Sequence, residues 1–216
     1  NAHLPDGSPI AASSKQRYFL SAYKNLFSGV ATAHDHFPHE WNEPFLPRLP
    51  IRVLRNYALA HECSSFDLKW GDGIQVEHRR AVERDHPFIT HLEEGFDAES
   101  QDGVGILERL GCLDDHGVFI HCIGFSDEDI GRVAAAGASV AWCPASNLFM
   151  FNVTCRIRKM LEAGVNVSVG TDSTATGSVN RPTSGIEVST ETRWKRESTL
   201  RSMTSRCGVG SSFSAR

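Results

Sequence analysis

Within residues 117–173, three short apolar runs each end in polar side chains that a buried strand has no reason to carry. The runs are 118–122 (VFIHC), 138–143 (ASVAWC) and 165–169 (VNVSV). They lead into His121, into Pro144-Ala145-Ser146-Asn147, and into Thr171-Asp172-Ser173. Helical patterns lie between them. Short apolar runs alternating with amphipathic helices predict a parallel sheet, because parallel neighbours need a crossover and a helix supplies it. Polar residues collected at the C-terminal ends of such strands are where enzymes of this architecture keep their chemistry.

The same grammar extends upstream. A helix is predicted from Ser13 or Ser14 to Ser28, with Gly29 as its stop, followed by a strand over 30–34 that opens into Asp35-His36-Phe37-Pro38-His39. Residues 40–50, rich in Pro and aromatics, predict a long loop. The first half of 51–60 reads as a strand and 63–73 as irregular. A charged helix over 74–85 precedes a strand at 87–91 (PFITH). Further helices are predicted at 99–110, from Ser126 to about Gly137, and at 152–163. After Ser173 the composition shifts to Ser, Thr, Arg and Gly without a period. The expected organisation is therefore one α/β unit over 1–173 and an atypical, disordered tail over 174–216.

Several classes are disfavoured. A net charge of -4 gives no reason to expect nucleic acid, and no apolar run approaches the roughly 20 residues a membrane span requires. The six cysteines form no CxxC pair, so free buried thiols in a reducing cytoplasm are expected. Phosphate-binding glycine loops, GxSxG and HExxH are absent from the sequence.

The candidate site residues sit at strand ends. His91 closes the run PFIT, with Glu94 three residues on. A neutral imidazole ligates Zn or Fe(II), and a carboxylate beside it can move protons. His121 closes VFI, and Asp172 follows a strand, a Gly and a Thr. Each has a plain alternative taken singly: a surface His beside acids, a core His on a carbonyl, a helix cap. Together at three strand ends, they point to metal-assisted hydrolysis. His34-Asp35-His36 places two imidazoles on one side of a strand, a spacing that suits one metal.

These residues lie in segments that resemble the amidohydrolase superfamily, in particular its branch of cytosine, guanine and S-adenosylhomocysteine deaminases and s-triazine hydrolases. The similar pieces are PFITHLEEG (87–95), the run from VFIHCIGF to CPASN (118–147) and MLEAGVNVSVGTDS (160–173), with KNLFSGVATAHD (24–35) similar to the family's second-strand region. The resemblance implies a (β/α)8 TIM barrel, here incomplete, since six candidate strands are seen and about 250 residues are typical. It implies one divalent metal, Zn first and Fe(II) as the other choice, and hydrolytic deamination of a small heterocyclic substrate. Dechlorination or ring opening on the same fold, or a catalytically incomplete fragment, are the other outcomes.

Residue by residue, the resemblance makes His91 a metal ligand and Glu94 the acid/base. His121 would contact substrate or metal, and Asp172 would be both ligand and general base. Ser146 and Asn147 would belong to a polar loop lining the pocket. The family's HxH belongs one strand earlier than GVATAHDH. The first reading therefore puts that pair before residue 1, and the second gives its role to His34 and His36. Unpaired sheet edges would favour a homo-oligomer.

Overall fold

The structure is a computed structural model that describes residues 14–36, 38, 43–63, 70–96, 100–173 and 176. The predicted tail from 174 lies outside these apart from Thr176, as does Cys207. In chain order the elements are α1 (Ser14–Phe27), β1 (Thr32–Ala33), a 3-10 turn (Leu46–Arg48), β2 (Arg52–Val53), β3 (Ala58–Glu62), α2 (Ile74–Arg84) and β4 (Phe88–Leu92). A second 3-10 turn (Ser100–Asp102) leads into α3 (Gly103–Arg109) and β5 (Gly117–His121). Then come α4 (Asp127–Ala136), β6 (Ser139–Trp142), α5 (Pro144–Phe151), α6 (Ile157–Glu162) and β7 (Asn166–Val169).

β3 to β7 form a five-stranded, all-parallel sheet in sequence order, and β1 pairs with β2, also in parallel. The α/β expectation holds, and parallel strands laid down in chain order are what successive staves of the expected architecture look like. Each strand alternates between two cores. Phe88, Phe119, Val140 and Val167 face one cluster, with Leu107, Val133 and Met160 from the covering helices. Leu59, Ile89, Ile120 and Cys143 face the other, with Tyr57. Both faces are buried, which is why the strands read as nearly continuous apolar runs.

Local chemistry explains most boundaries. Ser126 accepts a hydrogen bond from the Asp129 backbone N–H, and the Asp129 carboxylate accepts one from the Ser126 backbone, a capping box opening α4. Asp127, Glu128 and Asp129 place negative charge at the positive end of that helix. At the other end, Gly137 takes φ 74°. Gly170 follows β7, where an added Cβ would come 2.7 Å from the Cys143 sulfur, and its N–H donates to the Trp142 carbonyl at 2.7 Å.

Three expectations need correction. The segment 51–60 holds two strands, because Ala58–Glu62 pairs with β4. The helix expected over 152–163 is confined to α6, since Asn152 adopts a left-handed conformation (φ 54°) and ends α5. The stretch 144–147, expected as a loop, is the first turn of α5, begun by Pro144, whose missing N–H costs nothing there. The cysteines Cys63, Cys112, Cys122, Cys143 and Cys155 are free and buried, as expected. Among the described residues no helix is long and apolar enough to cross a membrane.

Candidate metal centre

The C-terminal ends of β1, β3, β4 and β5 converge on a row of imidazoles. Ring centroids are 5.8 Å apart for His34 and His36, 4.9 Å for His36 and His91, and 5.2 Å for both His61–His91 and His91–His121. Trp70 lies edge-on to His61, and Tyr57 to His34. Five of the chain's ten histidines thus share one pocket edge, a concentration that hydrophobic burial alone would not select.

Two of these rings are held in a fixed tautomer. His91 Nδ1 is 2.7 Å from the His61 carbonyl oxygen, which can only accept, so Nδ1 carries the proton. His121 Nδ1 is 2.8 Å from Asn147 Oδ1. Both Nε2 lone pairs are left for another partner, the arrangement in which histidines bind metals. His121 Nε2 stands 3.3 Å from Glu94 Oε1, and donor atoms of His91, Glu94 and His121 lie within 4.8 Å of one another. Asp172 lies at the edge of this group. Its Oδ2 accepts hydrogen bonds from the Ser146 hydroxyl and, at 2.8 Å, from Thr176 Oγ1.

Electrostatics separates the two carboxyls. Burial raises the pKa of Glu94, the nearby charges of Asp172 and Glu62 push the same way, and His121 opposes them. Burial works against ionisation of Asp172 too. There the hydrogen bonds from Ser146 and Thr176, with His121 nearby, outweigh it and hold the carboxyl below its usual range. Burial lowers His91 to about 4, with His121 adding to the shift and the bond to His61 opposing it. His36 is pushed well down by burial and by its imidazole neighbours, with a hydrogen bond to the Ala60 backbone opposing. Neutral imidazoles with free lone pairs beside a carboxylate fit a divalent ion of the Zn type.

The His91 shift has a measurable consequence. Between its unfolded value of 6.5 and about 4, the unfolded chain takes up a proton that the folded chain refuses. Metal-free protein should therefore lose stability as pH falls through that window, by at most about 3 kcal/mol from this group. Urea midpoints at pH 7 and pH 4.5, for wild type and His91→Gln, measure it; the expected result is a smaller drop in the variant.

Backbone geometry aims the site. Glu93, His121, Cys122 and Asp172 all have positive φ, between 50° and 69°. Such conformations cost roughly 1–3 kcal/mol each for a non-glycine residue and concentrate where a side chain must be re-aimed. Simple alternation after His91 would turn Glu93 toward the pocket and Glu94 away. The left-handed turn at Glu93 reverses this: Glu93 Oε1 instead accepts from the Val104 N–H of α3 at 3.1 Å, and Glu94 reaches His121.

The sequence-predicted residues His91, Glu94 and His121 are brought together, and Asp172 faces them through its charge. Ser146 and Asn147 serve as hydrogen-bond partners of Asp172 and His121 from the first turn of α5. His36 reaches His91, the position that the second reading of residues 34–36 requires. His61 and Trp70 were missed by sequence reasoning. The signal for His61 was present, since ALAH at 58–61 is one more apolar run closing on a histidine.

A family model described as the amidohydrolase family matches residues 71–208, a span that runs past Ser173. A 5-methylthioadenosine/S-adenosylhomocysteine deaminase of Pyrococcus abyssi is 43% identical over 72 residues, covering 33% of this chain and 17% of that protein. The protein of the same name from Syntrophobacter fumaroxidans is 31% identical over 143 residues, covering 62% of this chain and 30% of its own length. The chain thus spans less than a third of these curated relatives. Among solved structures, the atrazine chlorohydrolase of Arthrobacter aurescens complexed with zinc shares the fold with a TM-score of 0.60 at 19% identity, over 74% of this chain and 48% of that one.

Proposed function

The chain belongs to the amidohydrolase family, and on that premise we propose that it contributes the catalytic face of a metal-dependent hydrolase that deaminates a small nitrogen heterocycle. The observation that carries this reading is the His91–Glu94–His121 cluster facing Asp172, with the two carboxyls pushed in opposite directions. Paired carboxyls separated in this way divide the roles of acid and base. Relatives named as deaminases of adenosine derivatives support the substrate class.

His91 and His121 would hold the ion, with Asp172 beside them and His36 as a further imidazole. Zn is the first choice and Fe(II) the second. When bound, such an ion lowers the pKa of water from about 15.7 towards about 7. The protein groups do the rest. Asp172, kept ionised by Ser146 and Thr176, accepts a proton from the attacking water. Glu94, kept protonated by burial, gives its proton to the ring nitrogen as oxygen bonds to the amine-bearing carbon. His121, its Nδ1–H held by Asn147 Oδ1, would keep its Nε2 lone pair aimed at the ion. Asp172 then passes its proton to the amino group, which leaves as ammonia, while the hydroxyl on that carbon gives its proton to Glu94 as the carbonyl forms, so that both carboxyls are restored. Five buried free thiols accord with a reducing cytoplasm as the site of action, and the outer edges of β3 and β7, unpaired among the described residues, accord with a homo-oligomer.

The test is ammonia release from cytosine, guanine, adenosine and methylthioadenosine by Zn-loaded protein, with a chlorinated triazine as the chloride-releasing comparison. Turnover of an aminated ring that chelation abolishes and Zn restores is expected. Chloride without ammonia would replace deamination by dechlorination, and metal-loaded protein that turns over none of these would overturn the reading.

A further inference from the structure

We propose that Glu93, which takes no part in the chemistry above, is a positioning residue: its side chain, locked against α3, keeps Glu94 aimed at His121. The inference rests on the reading of Glu94 as the acid/base and names what holds that carboxyl in the site.

A carboxyl just past a strand end belongs in water, yet Glu93 is only 2% exposed. Burying such a group is costly unless it is hydrogen-bonded. Its backbone is left-handed as well, with φ 50°. Two unfavourable features at one residue, directly before Glu94, mark a place where the fold gives up stability for aim.

The side chain enters a fitted seat. Glu93 Oε1 accepts a hydrogen bond at 3.1 Å from the backbone N–H of Val104, the second residue of α3. Asp102, which precedes that helix, makes no side-chain cap of its own. Glu93 therefore satisfies an open helix N–H from eleven residues away. Two glycines make room for it. A Cβ on Gly103 would come 3.1 Å from Glu93 Cγ and 2.6 Å from Leu92 Cδ1, and one on Gly124 would come 3.3 Å from Glu93 Cβ.

The main chain is pinned on either side. The Cys122 N–H donates to the Leu92 carbonyl at 3.1 Å, and the Gly124 N–H to the Glu93 carbonyl at 2.9 Å. Between these anchors, residue 93 has two ways to turn. In the extended form its carboxyl would swing into the pocket and Glu94 out of it. The hydrogen bond to Val104 forms with Glu93 turned towards α3, and this leaves the pocket side to Glu94.

Kinetics of Zn-loaded wild type, Glu93→Ala, Glu93→Gln, Glu94→Gln and the Glu93→Ala/Glu94→Gln double variant test this, with zinc content and far-UV circular dichroism measured on each. Glu93→Ala is expected to lower kcat about tenfold, while KM and bound zinc stay within about twofold of wild type. Glu93→Gln, whose amide oxygen can still accept from Val104, should recover most of the loss. In the Glu94→Gln background, Glu93→Ala should cost no more than about a further twofold, because it acts through Glu94. A folded, metal-loaded Glu93→Ala protein with wild-type kcat would overturn the proposal. So would an undiminished loss in the Glu94→Gln background, which a merely structural role predicts. If Glu93→Ala fails to fold, Glu93→Asp, a methylene too short for Val104, takes its place with the same expectations. A crystal structure of the variant answers independently of activity, so a wild type that turns over none of the rings counts against the proposed reaction alone. The expected result is Glu94 withdrawn from His121. Glu94 Oε1 still 3.3 Å from His121 Nε2, as in the wild type, would remove the positioning role.

Discussion

Glu94→Gln is expected to keep its metal and lose turnover by about 10²–10⁴-fold, the range that a positioned acid/base supplies. The substitution preserves size and the ability to hydrogen-bond His121 Nε2, which lies 3.3 Å away. It removes only the exchangeable proton that burial, by raising the carboxyl's pKa, favours. The effect should fall on kcat more than on KM, because the proton moves in the transition state and not on binding. Metal content measured alongside the kinetics separates this result from a collapsed site. A metal-loaded variant with near wild-type turnover would remove Glu94 from its role.

Phe119→Ala should destabilise the fold by about 3–5 kcal/mol. Phe119 is fully buried at the centre of β5, in the core between the sheet and the helices. Its neighbours there come from several strands and helices, so they cannot close the void together. Because domains of this size have only about 5–15 kcal/mol in hand, the variant should show a much lower urea midpoint with an unchanged m-value. Ile120→Val, one residue on and facing the other core, removes one methyl group and should cost only about 0.5–1.5 kcal/mol. Equal losses for the two would contradict the full burial and close packing of Phe119.

How much of this was legible beforehand depended on whether a signal was local. The strands at 87–91, 118–122, 138–143 and 165–169 were visible because burial on both faces demands unbroken apolar runs, and four of the five sheet strands occupy those positions within a residue or so. Ser126 and Gly137 announced the ends of α4 through capping chemistry that acts over three residues. The strand Ala58–Glu62 was not separated from its neighbours, since Ala-Leu-Ala is as good a helix as a strand. Only pairing with β4 selects the extended form. His61 was lost with it. The boundary at Asn152 was hidden as well: nothing in LFMFNVTC marks Asn152 as the left-handed residue that ends α5.

The sequence by itself determined the order of parallel strands, the two-sided core and the kinds of side chain at the strand ends, because each follows from local pattern and residue chemistry. Which of those side chains share a site was decided by the tertiary structure. Alternation along β4 would send Glu93 inward and Glu94 outward, and alternation along β5 would turn His121 towards the core that holds Phe119. Left-handed backbone at Glu93 and His121 overrides both. That strain is tolerated only because contacts distant in sequence hold it in place: Val104 on Glu93, Asn147 on His121, and the His61 carbonyl on His91. No rule confined to neighbouring residues contains those partners, so the site could be named from the sequence but assembled only in the fold.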